Sequence, residues 1–258
     1  MDVVRVPEPV RPEDRSVLAR PAPGPDLVLR YGAGDEQVCD VRIGGPAATA
    51  RPLVVLLHGG FWRPEYDRAH VRPMTDALTH AGWTTVTPEY RRIPGRPDAT
   101  VADVRAALRE VRRSDLAAAH GGGRLLLAGH SAGGHLALHA AATASEDVVG
   151  VLALAPVADL GLAAALALDT DAVPAFLGCP APARTDLDPA RLPAAVAAVH
   201  LLHGTDDDVV PVVLSEAYRR CNPGAVLTTV PAGHFALIDP DSDVWPAVPA
   251  ALDGLAAV

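Results

Sequence analysis

The chain has 258 residues, of which 49% are hydrophobic and 21% charged. That balance belongs to a folded protein with a substantial core and excludes a disordered one. The formal net charge is −9 and all 22 basic residues are arginine, so no basic tract is available to neutralise nucleic-acid phosphates, and lysine Schiff-base or serine–lysine chemistry is excluded.

The first 26 residues are rich in proline and charge, as in Pro21-Ala22-Pro23-Gly24-Pro25, and read as an N-terminal arm. Met1 to Arg15 holds no apolar run of the kind a signal peptide carries, and no stretch is long and apolar enough to cross a bilayer. The expectation is a cytoplasmic protein away from membranes. Cys39, Cys179 and Cys221 are odd in number and far apart, so they read as reduced thiols and form neither a disulfide framework nor a metal site.

Leu27–Tyr31 and Val38–Ile43, separated by Gly32-Ala33-Gly34-Asp35, read as an antiparallel pair at a sheet edge. Pro52–Leu57 is apolar without alternation, as in a strand buried on both faces. A helix over Val71–His80, a strand over Trp83–Thr87 and a helix over Asp98–His120 capped by Asp98 follow. The next strand, Arg124–Ala128, leads into Gly129-His130-Ser131-Ala132-Gly133 and a helix over His135–Ala144. Val148–Ala155 is another unbroken apolar strand.

From Pro156 to Pro193 the regularity breaks, with short helices over Leu160–Leu168 and Val173–Leu177. This 156–193 segment reads as a lid-like insertion or pocket wall. Val196–Leu202 (strand), Val212–Cys221 (helix), Val226–Val230 (strand) and Val244–Val258 (helix) close the chain. The alternation of strands and helices predicts a mostly parallel sheet covered on both faces, in a single α/β domain over residues 1–258.

Gly129-His130-Ser131-Ala132-Gly133 joins strand to helix by a sharp turn with a serine at its apex, the arrangement a nucleophile elbow requires. Loops 58–63, 129–133, 203–211 and 233–235 each follow a strand. In a parallel sheet such loops converge on one rim. Acyl transfer needs a nucleophile, a base, an acid to orient the base, and donors for a developing oxyanion. Ser131 supplies the nucleophile and His234 the base. The acid comes from Asp206-Asp207-Asp208, three neighbours that composition does not separate. Backbone N–H groups of Gly60 and Phe61 in His58-Gly59-Gly60-Phe61, with that of Ala132, supply the oxyanion hole, and Phe61 and Trp62 an aromatic substrate wall. His58 and His203, directly after strands, read as loop-shaping residues. His135 and His139 share a zinc-pair spacing but have no glutamate between them and no third ligand, so no metal and no cofactor is expected.

With these motifs on the page, the chain resembles the α/β-hydrolase superfamily, closest to its branch of small-molecule carboxylesterases and kynurenine formamidases. The resemblance runs from about residue 27 onward. His58-Gly59-Gly60-Phe61-Trp62 is similar to that branch's oxyanion motif and Gly129-His130-Ser131-Ala132-Gly133-Gly134-His135-Leu136 to its elbow. The family's acid lies four residues past the histidine of its acid motif, which implies Asp207, and the family's base implies His234. Arg91 and Asp159 match positions that support the pocket and fold, with a salt bridge between them one arrangement. Phe61 stands where the lipase-like motif has a third glycine, which favours the formamidase side. The resemblance implies a serine hydrolase of small esters or, alternatively, an N-formyl aromatic amide hydrolase. A non-catalytic binding module on the same fold would usually have lost the serine, acid or histidine. The expected partner is a small-molecule ester or formamide, with a homodimer left open.

Overall fold

The computed structural model describes residues 13–143 and 148–257. Residues 1–12 of the expected arm, and Ala144 and Val258 at the ends of two expected helices, lie outside the described residues. Eight strands form one sheet: β1 Leu27–Arg30, β2 Val38–Arg42, β3 Leu53–Leu57, β4 Thr85–Pro88, β5 Leu125–His130, β6 Val148–Leu154, β7 Ala198–Gly204 and β8 Val226–Val230. Their order is β1-β2-β4-β3-β5-β6-β7-β8. β1 and β2, and β2 and β4, pair antiparallel; every other pairing is parallel. The antiparallel edge pair and the parallel centre are those expected from the sequence.

The unbroken apolar strands have a simple cause. Alternate side chains of a strand point to opposite faces, and here both faces are covered. Leu53, Val55 and Leu57 of β3, with Leu125 and Leu127 of β5, enter one core. Val54 and Leu56, with Leu126 and Ala128, enter the other. The first core is closed by α2 (Pro97–Arg113), α4 (Ala132–Thr143) and α7 (Val213–Cys221), through side chains such as Val104, Leu136 and Leu214. The second is closed by α1 (Arg72–His80) and α8 (Ala247–Ala256), through Met74, Leu78, Leu252 and Leu255.

Two helix readings change. The single helix expected over Asp98–His120 ends at Arg113, because Ser114 adopts an extended conformation and its hydroxyl caps Ala117 N–H at 3.3 Å, opening the short α3 (Asp115–Ala118). At the other end Pro97, not Asp98, begins α2. Proline is pre-set for the first helical position, and Asp98 then sits in the first turn, where its charge meets the positive end of the helix. In the insertion the helices are α5 (Leu160–Ala165) and α6 (Leu168–Leu177). Ala167, Asp169, Thr170 and Asp171 all have left-handed φ values between 44 and 61°, a conformation that costs a non-glycine residue free energy and that no periodicity in the sequence signals.

The insertion is tied down by α4. His135 Nε2 donates to Leu187 O at 2.8 Å and His139 Nε2 to Asp186 O at 3.2 Å, so the two histidines of zinc-pair spacing face backbone carbonyls. Burial pulls His135 down to about 3 and His139 to about 4. In both, a lowered folded-state pKa means that the unfolded chain takes up a proton before the folded one does. Their stabilisation is complete above about pH 6.5 and is lost as pH falls toward 3 to 4, at up to roughly 1.4 kcal/mol per pH unit for each. Urea unfolding should therefore show a falling midpoint between about pH 7 and pH 5. His139→Gln, which keeps a donor for Asp186 O, should reduce that slope by one group's share, the other buried histidines keeping the rest.

Candidate active site

The elbow is built by backbone constraint. Ser131 sits at φ 57°, left-handed and disfavoured for any residue with a Cβ. Three hydrogen bonds hold it there: Ser131 N–H to Leu154 O at 2.8 Å, and Ser131 O accepting from His135 N–H at 3.1 Å and Val157 N–H at 3.2 Å. Gly133 lets the start of α4 lie against the end of β3, since a Cβ there would stand 2.0 Å from Leu57 O and 2.4 Å from His58 O. Both obstacles are backbone and cannot swing away. Gly133→Ala should cost about 3 kcal/mol or more and about a hundredfold in turnover, because it shifts the elbow against the 58–63 loop. Gly224→Ala, where nothing lies within 4 Å, should leave both unchanged; urea titration and ester turnover measure the contrast.

The acid loop and the histidine loop are joined through backbone. Thr205 N–H donates to Val230 O at 2.8 Å and Asp206 N–H to Ala232 O at 3.1 Å. This lays Asp207 against His234, whose Nδ1 is 2.7 Å from Asp207 Oδ2. A carboxylate only accepts, so Nδ1 carries the proton and Nε2 is left with its lone pair. Asp207 Oδ1 accepts from Val209 N–H at 3.0 Å and Val210 N–H at 2.7 Å. Burial alone would raise the Asp207 carboxyl, but the His203 ring 3.4 Å away and the hydrogen bond from His234 outweigh it and hold the group well below the usual carboxylate range. Asp206 and Asp208 are exposed, so only the middle member of the acidic triplet faces the imidazole.

Sequence reasoning left His130 unassigned, yet it braces the same loop. Its Nε2 donates to His234 O at 3.1 Å and its ring lies 4.4 Å from that of His234. Burial, then the neighbouring His234, pushes His130 well below its ordinary value, so it packs as a neutral ring. His203 shapes the acid loop: Nε2 donates to Val210 O and Nδ1 accepts from the Ser215 hydroxyl, both at 2.7 Å.

The 58–63 loop is held by a buried carboxylate. Glu89, 2% exposed, accepts from His58 Nε2 at 3.0 Å, Arg68 N–H at 3.0 Å and Tyr90 N–H at 3.1 Å, and also meets Arg92. Tyr90 stacks on His58 at 4.3 Å and donates its hydroxyl to His58 O at 2.6 Å. Gly60, Phe61 and Trp62 then turn through φ 107, 47 and 56°. Gly60 and Phe61 border the cavity that holds Ser131 and His234. Ala132 is buried at the first position of α4, where an N–H has no intrahelical acceptor. Trp62 lies elsewhere. It is 3% exposed, stacks on Phe176 at 4.4 Å and meets His135 edge-on at 5.2 Å. It thus joins the 58–63 loop to the insertion and does not line the cavity, its ring standing behind that of Phe61, edge-on at 6.4 Å. The salt bridge entertained between Arg91 and Asp159 is not formed: Arg91 forks onto Asp103 at 2.7 Å through both Nε and Nη2, and Asp159 caps α5 at Leu162 N–H, 2.8 Å.

The cavity, about 440 Å³ including its open mouth, is walled by Phe61, Tyr66, Val209 and Phe235, with His70, His130 and Asp169 among its polar members. Burial takes His70 down to about 3, so its ring is neutral. Among the described residues no group of histidine, cysteine, aspartate or glutamate is arranged to hold a metal ion, and no helix is long and apolar enough to cross a membrane. The three cysteines are free thiols.

A family model described as an alpha/beta hydrolase fold matches residues 54–176. Kynurenine formamidase of Salmo salar is 35% identical over 112 residues, which are 43% of this chain and 36% of that protein. The chain therefore aligns with about a third of that relative's length. Among solved structures, esterase B of Lactobacillus rhamnosis superposes with a TM-score of 0.74 at 19% identity, covering 94% of this chain and 90% of the other. A truncated carbohydrate esterase from gut microbiota gives 0.74 at 19% identity, covering 92% and 100%. Esterase 2 of Thermogutta terrifontis gives 0.69 at 20% identity, covering 92% and 95%.

Proposed function

We propose that this chain, which has the α/β-hydrolase fold, is a serine hydrolase cleaving small carboxylic esters through an acyl-serine intermediate. The observation that carries the reading is one cavity bordered by a strained serine elbow and by an imidazole whose Nδ1 is fixed on a buried carboxylate at 2.7 Å. In that tautomer His234 Nε2 accepts the proton of Ser131 Oγ as the oxygen attacks the substrate carbonyl. Negative charge gathers on the carbonyl oxygen, and the N–H groups of Phe61 and Ala132 are the donors assigned to it, with Gly60 shaping the approach; one such donor is worth about 3 kcal/mol of transition-state stabilisation. The imidazolium returns the proton to the departing oxygen. Water then repeats the cycle on the acyl-serine.

A second reading applies the same steps to the C–N bond of an N-formyl aromatic amide. It is favoured by the similarity to the salmon formamidase and by Phe61, which places an aromatic ring in the cavity. Two measurements test these readings. A fluorophosphonate should label wild-type protein at Ser131 and leave Ser131→Ala unlabelled; an unlabelled wild type would remove both. The kcat/KM for p-nitrophenyl acetate should exceed that for N-formylkynurenine. A formamide value more than about tenfold above the ester value would install the second reading in place of the first.

A further inference from the structure

The catalytic cavity has one wall that does not come from the sheet. Residues 13–20 cross the His234 loop and are pinned at three points. Glu13 Oε1 accepts from Phe235 N–H at 3.0 Å, Val17 is buried in the second core, and Arg20 donates through Nη2 to Asp239 at 2.9 Å and pairs with Asp241 at 2.8 Å. Between these anchors Arg15 and Leu18 border the cavity shared with Ser131 and His234. The Arg15 guanidinium stands 5.4 Å above the Phe235 ring, which is itself 5.0 Å from the His234 ring.

Among the described residues no carboxylate pairs with Arg15. The carboxylate that borders the same cavity, Asp169, is already paired with Arg63 at 2.6 Å. A chain of net charge −9 thus presents, across the Phe235 ring from the His234 imidazole, a guanidinium with no carboxylate partner among the described residues. A guanidinium stays charged at every working pH, and its planar fork matches a carboxylate through two parallel hydrogen bonds.

We propose that Arg15 is a specificity-determining residue that binds a carboxylate on the leaving group of the substrate. The preferred substrates are then small esters or amides whose departing alcohol or amine carries an anionic group on an aromatic or short apolar frame. The apolar frame lies against Phe61, Leu18 and Phe235 while the carboxylate reaches Arg15. This inference rests on the serine-hydrolase reading and adds to it the charge of the substrate.

The test compares 4-acetoxybenzoate with 4-acetoxybenzamide, which have the same shape and differ in the leaving group's charge, using the full chain. The ratio of kcat/KM for the anionic over the neutral ester should fall about tenfold in Arg15→Gln and be partly restored in Arg15→Lys. In wild type the same ratio should shrink from low salt to about 0.5 M NaCl, as expected for an exposed charge contact. A ratio unchanged by Arg15→Gln, in protein with wild-type Tm and with Ser131 still labelled by fluorophosphonate, overturns the inference and leaves the hydrolase reading standing. Should labelled protein turn over neither ester, protection of Ser131 from labelling by 4-hydroxybenzoate replaces turnover. Protection present in wild type and lost in Arg15→Gln supports the inference, and equal protection overturns it. Wild type that is never labelled removes the hydrolase reading and this inference together.

Discussion

Ser131→Ala should bring hydrolysis of p-nitrophenyl acetate down to background, a loss on the order of 10⁶ in kcat, with Tm unchanged. The two halves of that expectation have separate causes. Alanine keeps the Cβ, so the left-handed backbone at φ 57° is neither relieved nor worsened. The bonds that hold the turn, from Ser131 N–H to Leu154 O and from His135 and Val157 N–H to Ser131 O, are all backbone. What disappears is the oxygen proposed to attack the substrate carbonyl. Turnover within about tenfold of wild type, measured on protein with a native far-UV spectrum, would put the nucleophile elsewhere.

Asp207→Asn should cost about 10⁴ in kcat, while Asp206→Asn and Asp208→Asn stay within about threefold. The size of the first effect follows from which atoms of Asp207 are already committed. Oδ1 accepts from two backbone N–H groups, at 3.0 and 2.7 Å, so in the amide that position keeps the carbonyl oxygen and the NH₂ is directed at His234. An NH₂ donates, so His234 Nδ1 must become the acceptor and the ring proton moves to Nε2. The lone pair that would take the Ser131 proton is then gone, although the geometry is intact. Asp206 and Asp208 are solvent-exposed, and the Asp206 carboxylate accepts from the Thr205 hydroxyl at 3.2 Å. If Asp206→Asn or Asp208→Asn proves the crippling change, the acid has been assigned to the wrong member of the triplet. A pH profile of kcat/KM for each variant separates a lost base from a lost fold.

Much of the architecture was legible because it follows from local rules. Apolar runs such as Leu53–Leu57 and Leu125–Leu127 read as two-sided strands, and the serine turn between a strand and a helix read as an elbow, since glycine spacing and hydrophobic period are both short-range signals. Helix ends were less legible. Ser114 interrupts the helical period of residues 101–111 only because its hydroxyl finds Ala117 N–H, a choice periodicity does not register. The left-handed run at Asp169, Thr170 and Asp171 had no signal at all, because strain of that kind persists only where surrounding packing imposes it.

The sequence by itself determined the chemistry available: an elbow serine, an acidic triplet, a late histidine and a glycine-bearing loop, each placed after a strand. It determined these because strand periodicity and turn residues are properties of neighbours along the chain. That Phe61 borders the cavity while Trp62 packs against Phe176, that His130 braces the His234 loop, and that Arg91 goes to Asp103 were decided only by the tertiary structure, which also brings Asp207, the acid the resemblance implied, onto the imidazole. Each of those is a contact between residues distant in sequence or a direction set by backbone torsion. Such contacts are fixed by packing one segment against another, and Arg15, brought from the start of the described residues to the cavity that holds Ser131 and His234, is the plainest instance.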